Sequence, residues 1–416
     1  MVTPLTINMA RLKRDMEAFG RIGHDPETGG LQRTGYSAAD MEARRAFLAL
    51  LQDEGFSARM DSVGNVIGRF GPDDAPTVMM GSHLDSVPAG GMFDGALGAL
   101  AGVEVLRTLK EAGGDLPYAV EVVGTAEEEG RFGGMLGAEA ITGTVDPTWY
   151  DTATDSAGIR LQDAMREAGV QPEKLAEAAR APEELRAFLE IHVEQGPVLE
   201  AEGLPVGVVE GISGCFNWHL RLEGEADHSG TTPMEMRRDA AVGAAEVIAG
   251  IDALIAGHGT DQSRVTVGQL DLSPNFPHTV AGRADFTVIG RDMTAKAMDS
   301  LETGLRGLVE RVAGGRGLTP TITEKSRLEP AACSPSVIAA LCDSARAHGL
   351  AYRSMPCGAG HDAQTMTRLT EAGLVFVPSV RGISHSPAEW TDWDDIEKGT
   401  NVLLGAVHAF ASGAMD

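Results

Sequence analysis

The run Thr77-Val-Met-Met-Gly-Ser82 is almost wholly apolar, and it leads without a break into His83 and Asp85. A strand without polar alternation is covered on both faces, which points to the interior of a parallel sheet sandwiched by helices. A Pro- and Gly-rich turn then brings Asp94 to the start of an Ala/Gly/Leu-rich helix predicted from about residue 95 to 112. The same grammar recurs along the chain. The strand Ala119–Thr125 runs into Glu127-Glu128-Glu129, a strand from Phe188 leads to His192, and the strand Leu374–Pro378 precedes a loop with His385. Helical spacing at 7–20, 38–54, 334–348 and 394–412 fills the intervals, with Ser37 as a cap. Alternating strands and helices predict an α/β domain, a mostly parallel sheet with helices on both faces. Such sheets bind ligands at strand carboxyl ends.

At 416 residues the chain exceeds one ordinary core, so two domains are expected. From about 212 the order becomes strand, helix, two strands, helix, strand, the βαββαβ signature of a smaller α+β unit. The α/β grammar then resumes. The predicted division is 1–211 and 329–416 for the catalytic domain, with 212–328 inserted as a lid or dimerisation domain. Residues 151–187 read as mostly helical.

A formal charge of −26 argues against nucleic acid and anionic membrane surfaces as partners. No signal peptide and no run of eighteen apolar residues is found, and the four cysteines show no CxxC spacing. A reducing cytoplasm is the expected compartment.

A single histidine after a strand is commonly structural, and a glutamate triplet is commonly a solvated turn. Four separated strand ends, each offering imidazole or carboxylate, instead point to metal ligation at His83, Asp94, Glu127/Glu128, His192 and His385. Two cations about 3.5 Å apart can share a carboxylate and a water. Asp94 is placed to bridge them, His83 with His192 or His385 with a glutamate would complete the sites, and Glu127/Glu128 divide into a base and a ligand.

The stretches Asp61-Ser-Val-Gly-Asn65, Gly81-Ser-His-Leu-Asp85, Asp94-Gly95, Glu127-Glu128, His192-Val-Glu-Gln-Gly-Pro197, His228-Ser-Gly-Thr-Thr-Pro-Met234, Gly358-Ala-Gly-His-Asp-Ala363 and Ser384-His-Ser-Pro-Ala-Glu389 carry a resemblance. Over nearly its whole length the chain resembles the dinuclear-metal amidohydrolases of the M20 peptidase clan. It is most similar to the branch of N-carbamoyl-L-amino acid hydrolases, β-ureidopropionases and allantoate amidohydrolases. The resemblance implies His83, Asp94 and His192 at one metal, and Asp94, Glu128 and His385 at the other. Zinc is the first expectation, with manganese or cobalt suiting the same ligands. It further implies Glu127 as general base acting on a metal-bridging hydroxide, and Asp85 as the carboxylate orienting His83. His228 would reach a partner subunit's site across a homodimer formed by the inserted domain, and Gln195, Arg291, Gly360 and His361 would contact substrate. Three positions depart from the family pattern: Glu129 stands where a glycine is usual, His278 where a carboxamide is usual, and Ile289 where an aspartate precedes the arginine. The implied activity is hydrolysis of the C–N bond of a ureido or N-carbamoyl amino acid, a small molecule with a carboxylate. The alternatives are an aminoacylase or dipeptidase-like amide hydrolase of the same clan, or a binding protein that has lost its metals.

Overall fold

The computed structural model describes residues 4–415, and the chain divides into two compact units. Gly211–Ala331 with Pro356–Gly360 forms the smaller unit, and the remaining described residues form the larger.

The larger unit is organised on a nine-stranded sheet. Its strands are β1 (Ser57–Met60), β2 (Val66–Phe70), β3 (Thr77–His83), β4 (Ala119–Thr125), β5 (Leu185–Val193) and β6 (Gly207–Ile212). Those of the smaller unit are β7 (Gly214–Glu223), β8 (Arg264–Ser273), β9 (Arg283–Asp292) and β10 (Thr319–Leu328). The short β11 (Ala331–Ala332), β12 (Arg353–Cys357) and β13 (Glu371–Val377) rejoin the large sheet. Its centre, β4-β3-β5-β13, is parallel, while β2 joins β4, and β6 joins β13, antiparallel. Every residue of β3 and β4 is buried, as an apolar run without alternation requires.

Helices α1 (Met9–Phe19), α2 (Ala38–Asp53) and α3 (Ala96–Ala112) pack with Trp393–Ala411 around the core of Phe47, Val78, Met80, Leu100, Val122, Ile191 and Leu403. The cap of α2 is Ser37, whose side chain accepts the Asp40 N–H. Helix α3 lies so close to the sheet that a Cβ on Gly98 would stand 2.7 Å from the Ile191 carbonyl oxygen. That oxygen belongs to backbone and cannot step aside. Gly98→Ala is therefore expected to destabilise by about 1–3 kcal/mol, measured by denaturant unfolding.

The smaller unit is a four-stranded antiparallel sheet, order β10-β7-β9-β8, with helices Ala240–Ala249, Ile251–His258 and Ala295–Arg316. Strand β7 alternates buried and part-exposed residues, so Phe216, Trp218, Leu220 and Leu222 face Met298 and Leu305 in one core. The order βαββαβ matches the pattern read from residue 212 onward.

Three features differ from the sequence reading. Residues 356–360 belong to the smaller unit: the Ser213 N–H donates to the Cys357 carbonyl at 2.9 Å. Residues 151–184 hold short helices, Pro147–Thr152 and Leu161–Glu167, and 3-10 turns, and 185–187 already open β5. There the Asp155 carboxylate captures the Ala157 and Ile159 N–H groups in a turn, and Pro172 and Pro182 forbid continuation. Strands β6, β11 and β12 were not anticipated, being short and without a clean period. Among the described residues no single helix is long and apolar enough to cross a bilayer, and none of the four cysteines is in a disulfide.

Candidate metal centre and active site

Each functional side chain sits at or just beyond a strand's carboxyl end. His83 closes β3, His192 lies one residue before the end of β5, Glu127–Glu129 follow β4, and His385 lies in the loop after β13. Asp94 precedes α3, and Gly95 between them has φ +65°, with no room for a Cβ, which would stand 2.3 Å from His83 Nδ1.

These groups converge on Asp94. Its Oδ1 lies 3.1 Å from His192 Nε2 and 3.7 Å from His83 Nε2. Its Oδ2 lies 3.2 Å from His385 Nε2, and Glu129 Oε2 is 3.5 Å from the same nitrogen. Two candidate ligand clusters result, His83–Asp94–His192 and Asp94–Glu129–His385, with one carboxylate common to both. His83 Nδ1 and His192 Nδ1 each face a backbone carbonyl at 2.9 Å, of Asp85 and Val193. A proton on Nδ1 leaves each Nε2 lone pair aimed at the centre.

The electrostatics call for positive charge. Burial works to lower His192, yet Asp94 outweighs it and pushes the imidazole's pKa up to about 9. The Gly95 amide nevertheless points at His192 Nε2 (3.1 Å), a geometry that suits an unprotonated nitrogen facing an unprotonated oxygen. In either protonation state a cation, proton or metal, belongs between these atoms. Burial, with Asp94 and Asp85 nearby, pushes Glu129 up to about 10, and burial beside Glu129 holds Glu128 well above the usual carboxylate range. The buried Asp94 Oδ2 and Glu129 Oε1 lack hydrogen-bond donors. Crowded carboxylates with unused oxygens, facing imidazole lone pairs, are a donor set for divalent cations.

The glutamate triplet departs from the expected division. Glu129, rather than Glu128, joins Asp94 and His385. Glu128 instead places Oε2 3.7 Å from His83 Nε2, on the rim of the first cluster. Glu127 turns away: its Oε1 accepts the Phe132 N–H at 2.5 Å, and its Oε2 lies against Gly35. The cause is local. Glu127 has φ +56°, which turns the chain after β4, and Asp85 then grips the two following amides. Asp85 Oδ1 accepts the Glu128 N–H (3.3 Å) and Oδ2 the Glu129 N–H (3.1 Å). Thus the Asp85 carboxylate orients the glutamate turn, and only its backbone carbonyl orients His83. Behind it, buried Arg44 bonds Asp40 and the carbonyls of Gly64 and Thr125, both at 3.0 Å, fixing the end of β4.

Gln195 Nε2 donates to Asp94 Oδ1 (3.3 Å) and to Ser384 Oγ (3.1 Å), which brings it to the edge of the centre. His361 stacks edge-on against His192 at 4.4 Å, and burial holds its pKa well below the ordinary value. Gly360 belongs to the smaller unit, as do Arg291, His228 and His278. Arg291, near the end of β9, donates to the Gly358 carbonyl at 2.8 Å. His228 Nδ1 accepts the Gly230 and Thr231 N–H groups, so Nε2 carries the proton and points outward. His278 is exposed beside it, its carbonyl accepting the Ser229 N–H. Ile289 is 36% exposed on the same sheet face as Arg291.

Residues 79–409 match the model of peptidase family M20/M25/M40. The chain belongs to this family. It is 37% identical over 409 residues to an N-carbamoyl-L-amino acid amidohydrolase of Geobacillus stearothermophilus, covering 97% of this chain and 98% of that one. An allantoate amidohydrolase of Bacillus subtilis is 33% identical, with 92% and 93% covered. The crystal structure of a hydantoinase/carbamoylase family amidase from Burkholderia multivorans superposes with a TM-score of 0.89 at 32% identity, covering 98% and 99%. Within the M20 family, therefore, this protein is a hydrolase of the amidohydrolase branch.

Proposed function

We propose that this M20 member hydrolyses the C–N bond of an N-carbamoyl or related ureido amino acid. The single observation that carries the reading is Asp94 held between two histidine-carboxylate clusters, with a further glutamate, Glu128, on the rim. His83, Asp94 and His192 would hold one divalent cation, and Asp94, Glu129 and His385 the other, zinc by donor set and manganese or cobalt by the same chemistry. When bound, the pair supplies Lewis acidity that polarises the substrate carbonyl and lowers the pKa of water.

Glu128 is the general base. Its place on the rim, with Oε2 3.7 Å from His83 Nε2, suits a group that takes the proton of the attacking water and passes it to the departing nitrogen. A carbamoyl substrate then yields carbamate, hence carbon dioxide and ammonia, and the free amino acid. Arg291 pairs with the substrate carboxylate in two-pronged fashion, and His228 donates its Nε2 proton to the oxyanion.

Those last two residues cannot serve one small substrate from one copy. His228 is tied to Thr279 beyond the Arg283 end of β9, while Arg291 lies near the other end. At about 3.3 Å rise per residue, the strand alone separates them by roughly 26 Å. A second copy of the chain supplies His228, which makes a symmetric homodimer part of the proposal.

Two results test this reading. Ammonia release from N-carbamoyl and ureido acids, against carboxylate release from N-acyl acids and dipeptides, separates it from an aminoacylase. Preference for the latter substrates would replace it. Asp94→Ala is expected to retain neither cation and to lose turnover to background, as is chelator-treated wild type, with recovery on metal return only for the wild type.

A further inference from the structure

Resting on that dinuclear reading, we infer that Glu389 is a positioning residue that holds Asp94 and the His385 loop in one frame. Its side chain is 4% exposed and touches no cluster atom of either candidate site in the manner of a ligand. Instead one oxygen, Oε1, accepts the N–H groups of both Phe93 (3.2 Å) and Asp94 (3.1 Å). The other, Oε2, accepts the Ser384 hydroxyl at 2.7 Å. Ser384 precedes His385 and in turn accepts from Gln195 Nε2, whose amide also reaches Asp94 Oδ1. The circuit closes: Asp94 backbone, Glu389, Ser384, Gln195, Asp94 side chain.

The circuit matters most for His385. That histidine has φ +52° in a loop, and its side chain is 52% exposed, so packing holds only part of it. By contrast His83 and His192 are buried within strands. Gly91 leaves the space Glu389 fills, since a Cβ there would stand 2.3 Å from Oε1. A carboxylate accepts all three donors that converge on the position: the Phe93 and Asp94 amides and the Ser384 hydroxyl, whose oxygen also accepts from Gln195. A glutamine keeps one acceptor for the two amides but presents a second donor to Ser384. The Asp94 side of the frame survives, and the His385 side exchanges a charge-assisted bond for a weaker neutral one.

The test is calorimetric titration of chelator-stripped protein with Mn²⁺ alone, in wild type, Glu389→Gln, Ser384→Ala and the double variant. Wild type is expected to take two equivalents. Glu389→Gln and Ser384→Ala should each keep the first and weaken the second by about tenfold or more. The double variant should be no weaker than Glu389→Gln alone, because both break one chain of bonds. Unchanged affinity for both equivalents would overturn the inference. So would equal weakening of both together with a lowered Tm, which would make Glu389 a fold-stabilising group. Wild type taking fewer than two equivalents would fail the dinuclear reading itself and remove the inference with it.

Discussion

Replacing Glu128 by glutamine is expected to lower kcat by about 10³-fold while both cations remain bound. The same change at Glu127 is expected to leave turnover within about tenfold of wild type. The two carboxylates are neighbours in sequence but face different surroundings. Glu128 Oε2 stands 3.7 Å from His83 Nε2, where a water attacking a substrate carbonyl would lie within its reach. Glu127 spends one oxygen on the Phe132 amide, and glutamine keeps a carbonyl there. Its pKa is raised to about 8 by burial and by Asp85, a shift that burial produces with or without a catalytic role. Steady-state ammonia release, with metal content measured on the same samples, ranks the two. A Glu127→Gln loss that exceeds the Glu128→Gln loss would return the base to Glu127.

That ranking could not be read from the sequence, and the reason is physical. The convergence of His83, Asp94, His192 and His385 was legible because each follows a strand of one parallel sheet, and such sheets gather their strand ends. The smaller unit was legible because β7 and β9 alternate cleanly over ten residues each. Three consecutive glutamates carry no such information. Counting along them assumes extended backbone, but the positive φ at Glu127 reverses the chain, and Asp85 then decides which two side chains face the centre. Nor does a sequence say which oxygen of Asp85 is used, and the carbonyl, not the carboxylate, meets His83. Glu389 lay within a recognised stretch, yet two of its partners, Phe93 and Asp94, are almost three hundred residues away in sequence. Long-range contacts of that kind belong to the fold alone.

Mixing two inactive variants is expected to restore activity. If His228 acts in the site of a second copy, a subunit with His228→Ala retains a complete metal centre and base, and lacks only the donated proton. A subunit with Glu128→Gln retains its own His228. Random exchange at equal amounts makes half the dimers mixed, and each mixed dimer pairs one intact centre with one intact histidine, so about a quarter of wild-type activity should return. The dimension of the smaller unit supports this arrangement if both residues meet one substrate. Arg291 and His228 flank opposite ends of β9, and no ureido acid spans roughly 26 Å. His278 is joined to His228 through Ser229 and would travel with it into the second copy's site. If its imidazole meets the substrate there, His278→Asn should change KM for differently substituted ureido acids more than kcat. The readouts are native mass spectrometry for subunit exchange and ammonia release for activity. Confirmed exchange without recovered turnover would put His228 outside the partner's chemistry, and the separation along β9 would then exclude it from sharing a substrate with Arg291 in any copy.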